Sequence, residues 1–113
     1  MICFGLSSNY IVKINSVFNQ YSDIDEVLIF GSRAKGNYRD NSDIDLVIKG
    51  NNINLSTLQE IENKLEELYI PNVIDLLVFD TIENSDLINH INRVGKQFYK
   101  KGHYPKKCVS LKI

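Results

Sequence analysis

Three short apolar runs, two of them interrupted by acids, limit what this chain can fold into. Val27-Leu28-Ile29-Phe30 is continuous, lies between the polar break Asp23-Ile24-Asp25 and Gly31-Ser32, and has the character of a strand buried on both faces. Asp43-Ile44-Asp45-Leu46-Val47-Ile48 alternates at first and then turns fully apolar. Val73-Ile74-Asp75-Leu76-Leu77-Val78-Phe79 is apolar apart from Asp75. Each run is too short for a core helix, and longer segments of helical period separate them. That combination predicts a sheet with helices packed on it.

Helical periodicity in Tyr10, Ile11, Ile14, Val17, Phe18 and Tyr21, behind the caps Ser8 and Asn9, predicts a first helix over Asn9 to Tyr21. Between Gly31 and Ser42 the chain is too polar for core and reads as one helical turn followed by a loop. Leu55, Leu58, Ile61, Leu65 and Leu68 form a stripe, with Ser56-Thr57-Leu58-Gln59 as capping box and Pro71 beyond the stop, giving a second helix over Ser56 to Tyr69. Leu87, Ile91, Val94 and Phe98, behind Asn84 or Ser85, give a last helix over Ser85 to Tyr99. The expected order is α-β-β-α-β-α, an α+β fold with a small mixed sheet.

At 113 residues with 43% hydrophobic and 24% charged residues, the chain fits one soluble domain with its own modest core. No run approaches the ~20 apolar residues of a membrane span. The start, Met1 to Leu6, lacks the basic and long apolar regions of a secretion signal, so a cytoplasmic location is expected. Cys3 and Cys108 sit at opposite ends, which argues against a thiolate zinc site or a disulfide framework. Seven of the 13 basic residues fall from Arg93 onward and none of the 14 acids follows Asp86, so a basic tail begins at about residue 100. It reads as a solvated end or as a patch facing an anion.

The chemistry sits in the acids of the strands. Buried carboxylates are costly without partners. Asp43 and Asp45, at i and i+2, project from one face about 6.6 Å apart by strand rise. At an effective dielectric of about 20 they repel by roughly 2.5 kcal/mol. A scaffold gains nothing from that repulsion, whereas a hard divalent cation with oxygen ligands relieves it, so magnesium is the natural inference. With Asp75 on a neighbouring strand, three carboxylates suit a pair of metals ~3.5 to 4 Å apart, the arrangement for displacement at phosphorus. Gly31-Ser32 offers the matching phosphate cradle: glycine allows close backbone approach, and the Ser32 hydroxyl and following amides meet an anion. Arg33 and Lys35 add positive charge.

Gly31-Ser32, ten residues, and Asp43-x-Asp45 match the GSx10DxD pattern, and the chain resembles the minimal nucleotidyltransferases of the DNA polymerase beta superfamily from the first strand to the last helix. The resemblance implies a palm-like core, two magnesium ions on Asp43 and Asp45, and Asp75 as the third carboxylate, completing one metal site and helping to deprotonate the acceptor. It places the triphosphate of ATP on Gly31 and Ser32. The stretch that usually reads GSRARG is GSRAKG here. Lys35 keeps the charge without the bidentate fork of arginine, and no catalytic role is assigned to it.

With no room for an acceptor domain, the short form resembles the antitoxin half of two-gene systems whose other half is a helical HEPN-family ribonuclease. That resemblance implies transfer of AMP from ATP to a tyrosine of a HEPN-type toxin; no membrane partner is expected, nucleic acid is the disfavoured partner, and contact of the basic tail with phosphate, RNA or partner stays open. Two other functions stay open: a non-catalytic subunit that binds nucleotide and partner, and nucleotidyl transfer to a small molecule. His90 and His103 have no ligand-spaced partner, Asp40 reads as a turn residue, and Tyr38 reads as structural unless a base stacks on it.

Overall fold

The computed structural model describes residues 2–102. Within them a four-stranded mixed sheet is covered on one face by two helices and on the other by one. A two-residue hairpin leads in: β1 (Ile2–Cys3) pairs antiparallel with β2 (Leu6–Ser7) through Phe4 and Gly5, both at positive φ. The order continues α1 (Ser8–Phe18), β3 (Ile24–Phe30), α2 (Gly31–Lys35), β4 (Ile44–Gly50), α3 (Leu55–Glu66), β5 (Ile74–Val78), α4 (Ser85–Val94) and β6 (Lys96–Lys100). In the main sheet the strands lie β5-β4-β3-β6; β4 and β5 are parallel and the other pairs antiparallel.

Alternation along the strands divides the core. Val27, Ile29, Ile44, Leu46, Ile48, Leu76 and Val78 face α1 and α3, meeting Ile14, Phe18, Ile61 and Leu65. Leu28, Phe30, Val47 and Leu77 face the other way, against Ile91, Leu87 and Val94 of α4. Ile14 and Phe18 are fully buried, each side chain worth about 1.5–3 kcal/mol of transfer from water.

The sequence reading holds for the sheet-forming runs and the three longer helices, with several corrections. α1 is capped by Ser7, whose hydroxyl accepts from the Tyr10 amide at 3.4 Å, and ends at Phe18 instead of Tyr21. The polar break read at Asp23-Ile24-Asp25 falls partly inside the sheet: β3 begins at Ile24, which is fully buried. The cap of α3 is Asn54, accepting from the Thr57 amide at 2.8 Å, so the box read at Ser56 is not the start. Asn84 caps α4 as expected, accepting from the amides of Asp86 and Leu87.

The largest correction concerns the last segment, read as helix to Tyr99. α4 stops at Val94, and after the extended Gly95 the chain becomes β6 along the free edge of β3. Phe98 satisfies a helical stripe and a strand position equally well; the unpaired backbone groups of β3 decide the matter, because they need partners. A register shift between Val27 and Leu28 leaves Phe98 as a bulge residue, and Phe98 and Tyr99 are both buried. The buried Asn15 of α1 donates its side-chain amide to the Phe98 carbonyl at 3.1 Å, tying the bulge to the helix. The basic tail beyond residue 102, including His103 and Cys108, lies outside the described residues.

Candidate active site

The three acids gather at one end of the sheet. Asp45 is the second residue of β4 and stands in register with Asp75, the second residue of β5. Their neighbours Ile44, Leu46 and Leu76 point to the α1–α3 face, so both carboxylates point to the α4 face. Asp43 lies one residue before β4, on the same side by alternation. α4 packs against β3 and α2, and Asp43 and Asp75 remain exposed while Asp45 is half-buried. Burial, then the charges of Asp75 and Asp43, push the Asp45 carboxyl up to about 6. It is ionised at neutral pH, but under strain from its neighbours.

The Gly31-Ser32 turn meets this group directly. Phe30 of β3 pairs with Asp45 across the antiparallel ladder, so the next residue lands beside the carboxylate. Gly31 has φ +75°, and a Cβ there would run into Asp45 Oδ2. Glycine is therefore demanded by backbone conformation and by the space the carboxylate occupies. The following turn, α2, closes with the Gly36 amide on the Ser32 carbonyl at 2.9 Å. Lys35 is exposed.

Arg33 departs from its expected place among the nucleotide-binding residues. It is 2% exposed. Its guanidinium donates to the carbonyls of Phe4 (2.9 Å), Asp40 (3.2 Å) and Ser42 (3.0 Å from Nη2), and lies 5.2 Å from the centre of the Tyr38 ring. These donors are directed at carbonyls within the protein, so the charge next to the Gly31-Ser32 turn serves the hairpin and the loop. The half-exposed Tyr38 ring is thereby held against Arg33. His90 of α4 sits edge-on to Phe30 with ring centres 6.2 Å apart. Asn72, which sequence reading did not single out, donates to the carbonyls of Asp40 and Ser42. Nothing in its local sequence marks it; only the tertiary contact does.

A sheet of this order, with GSx10DxD folded into one cluster, can be compared with known proteins. The sequence profile described as "Polymerase beta, Nucleotidyltransferase" matches residues 12–104. The chain belongs to the polymerase beta nucleotidyltransferase family. No curated protein sequence matches it. Among solved structures, this nucleotidyltransferase is similar to a toxin-antitoxin with AMP-PNP (22% identity, 86% of this chain and 76% of that chain, TM-score 0.65). It is also similar to a complex of tri-AMPylated Shewanella oneidensis HEPN toxin with MNT antitoxin (18% identity, 83% and 72%, TM-score 0.62). A third is a putative nucleotidyltransferase from Sulfolobus solfataricus (23%, 87% and 84%, TM-score 0.54). The fold expected from sequence is the fold these structures share.

The donor set is all oxygen, which suits a hard divalent cation. Among the described residues no three acids, histidines or cysteines form a ready-made cage. Magnesium does not need one, since it commonly takes one or two carboxylates and completes its shell with substrate phosphates and water. The mutual repulsion at Asp45 is what such a cation would relieve, so the residues fit it. A groove of about 540 Å³ lies elsewhere, between α3 and the start of β5, lined by Leu65, Tyr69, Ile70 and Val73, and contains none of the three acids. No helix among the described residues is long and apolar enough to cross a membrane.

Proposed function

We propose that this protein transfers AMP from ATP to a hydroxyl of a partner protein, a tyrosine of a helical HEPN-type toxin, and acts as its antitoxin. The observation that carries the reading is the in-register Asp45–Asp75 pair lying against a glycine with no room for a side chain. That arrangement sets a pair of carboxylates beside a turn whose backbone is open to close approach, which supports a site taking phosphate and cation together. The nucleotide and the tri-AMPylated toxin found with similar structures support the choice of ATP and acceptor.

In this reading Asp43, Asp45 and Asp75 would hold magnesium, which would supply positive charge against the phosphates. Gly31 lets the triphosphate approach the backbone, the Ser32 hydroxyl donates to it, and Lys35 reaches it from the exposed side of α2. The acceptor oxygen forms a bond to the alpha-phosphorus as the bond to the bridging oxygen breaks. Pyrophosphate departs with the electron pair, and the hydroxyl proton passes to the Asp75 carboxylate. Positioning and charge neutralisation supply most of the acceleration.

The test is incubation with each alpha-labelled nucleoside triphosphate and magnesium, with and without a HEPN-type partner. The expected result is label from ATP on the partner, lost in Asp43→Asn/Asp45→Asn together with neutralisation. Neutralisation that survives the double substitution, with no label transferred, would replace this reading by a binding subunit acting through occlusion.

A further inference from the structure

The chain between α2 and β4 has no helix or strand from 37 to 43, yet it ends on Asp43, whose place relative to Asp45 and Asp75 decides how a cation is held. Its carbonyls are turned inward. That of Asp40 accepts from Arg33 Nη2 at 3.2 Å and from Asn72 Nδ2 at 2.8 Å. That of Ser42 accepts from Arg33 Nε at 3.3 Å, Arg33 Nη2 at 3.0 Å and Asn72 Nδ2 at 3.2 Å. The Ser42 oxygen belongs to the peptide unit whose nitrogen is that of Asp43.

The two grips come from informative places. Arg33 stands two residues after Gly31, and its Nη1 is itself anchored on Phe4 of the N-terminal hairpin at 2.9 Å. There Gly5, at φ +75°, leaves the space that the guanidinium and Tyr38 fill; a Cβ would lie 2.7 Å from Arg33 Nη1. Asn72 stands three residues before Asp75, and the Ile44 amide donates to the Val73 carbonyl next to it at 2.8 Å. One set of hydrogen bonds thus connects the phosphate turn, the loop entering Asp43 and the strand carrying Asp75. No carboxylate pairs with the buried guanidinium among the described residues; carbonyl dipoles and the Tyr38 ring surround it. Burying a charge only to hold a surface loop is a poor exchange, since apolar packing would serve.

We propose that Arg33 and Asn72 are positioning residues whose shared grip on the Asp40 and Ser42 carbonyls sets Asp43 against the Asp45–Asp75 pair for capture of a divalent cation. The proposal rests on the reading of these carboxylates as metal ligands. Partners one layer out from a metal are worth about 10- to 100-fold in its affinity.

Mn2+ binding to the full chain with a non-hydrolysable ATP analogue, read as the loss of the free-ion paramagnetic resonance signal beyond that caused by the analogue alone, tests it. Arg33→Lys keeps the charge but not the fork, and removal of a buried group can compromise folding. Asn72→Ala is the second variant, because that side chain is only half-buried. The expected result for Asn72→Ala is a melting temperature in EDTA close to that of the parent, with Mn2+ affinity about 10- to 100-fold weaker. Parent-like Mn2+ affinity in Asn72→Ala would overturn the positioning role and leave the carboxylates as ligands. A parent that takes up no Mn2+ alongside the nucleotide would overturn the ligand reading itself and the positioning role with it.

Discussion

Replacing Asp45 by Asn should stabilise the metal-free protein at neutral pH. Burial and the charges of Asp75 and Asp43 raise the Asp45 carboxyl from its usual 3.8 to about 6. A tenfold change in proton affinity corresponds to about 1.4 kcal/mol, so the ionised group opposes folding by ~3 kcal/mol at most. The carboxylate still meets water, and screening reduces this to about 1–2 kcal/mol. The sign follows from linkage. Between pH 4 and 6 the folded state binds more protons than the unfolded one, so the parent loses stability as pH rises through that window. Asparagine has the same shape and does not titrate. In EDTA at pH 7.5 the variant should melt about 4–8 °C above the parent, and the difference should vanish below pH 4. With magnesium and ATP the order should reverse, because only the parent gains from the cation. Thermal melts at the two pH values, with and without metal, measure all of this. An Asp45→Asn variant melting below the parent in EDTA at pH 7.5 would show that Asp45 supports the fold through contacts the carboxylate alone can make.

Gly31→Ala should lose about 1–2 kcal/mol from its positive φ alone, and its intrusion on Asp45 should abolish transfer; a variant with parental activity would remove the close approach from the argument. Asn54→Ala should lower stability by about 1 kcal/mol through its cap on α3, whereas Ser56→Ala should stay within about 0.5 kcal/mol, as denaturant melts will resolve. Lys35→Ala should leave the melting temperature unchanged and raise the ATP concentration needed for half-maximal rate; an unchanged nucleotide dependence would exclude the exposed lysine from phosphate binding.

The placement of Asp43 and Asp45 on one face is legible in sequence because strands impose a period of two. Gly31 was legible as a turn residue, but its deeper reason was not: the space a Cβ would need is taken by a side chain fourteen positions away. The inward turn of Arg33 is hidden from sequence for a related reason. In sequence the residue is a cation beside the Gly31-Ser32 turn, and only the tertiary structure shows carbonyls from the hairpin and the loop converging on it. Asn72 carried no local signal at all.

The sequence by itself determined the apolar periods, hence where the central strands and the long helices lie, and the GSx10DxD spacing of Gly31, Ser32, Asp43 and Asp45. The tertiary structure decided what local pattern leaves degenerate. Residues 96–100 form a strand because β3 has an open edge to satisfy. Asp45 and Asp75 become a pair because two parallel strands align in one register. Arg33 turns inward because its donors find fixed carbonyls there. Periodicity depends on near neighbours along the chain, whereas edge pairing, register and the direction of a long side chain depend on groups that only the completed fold brings together.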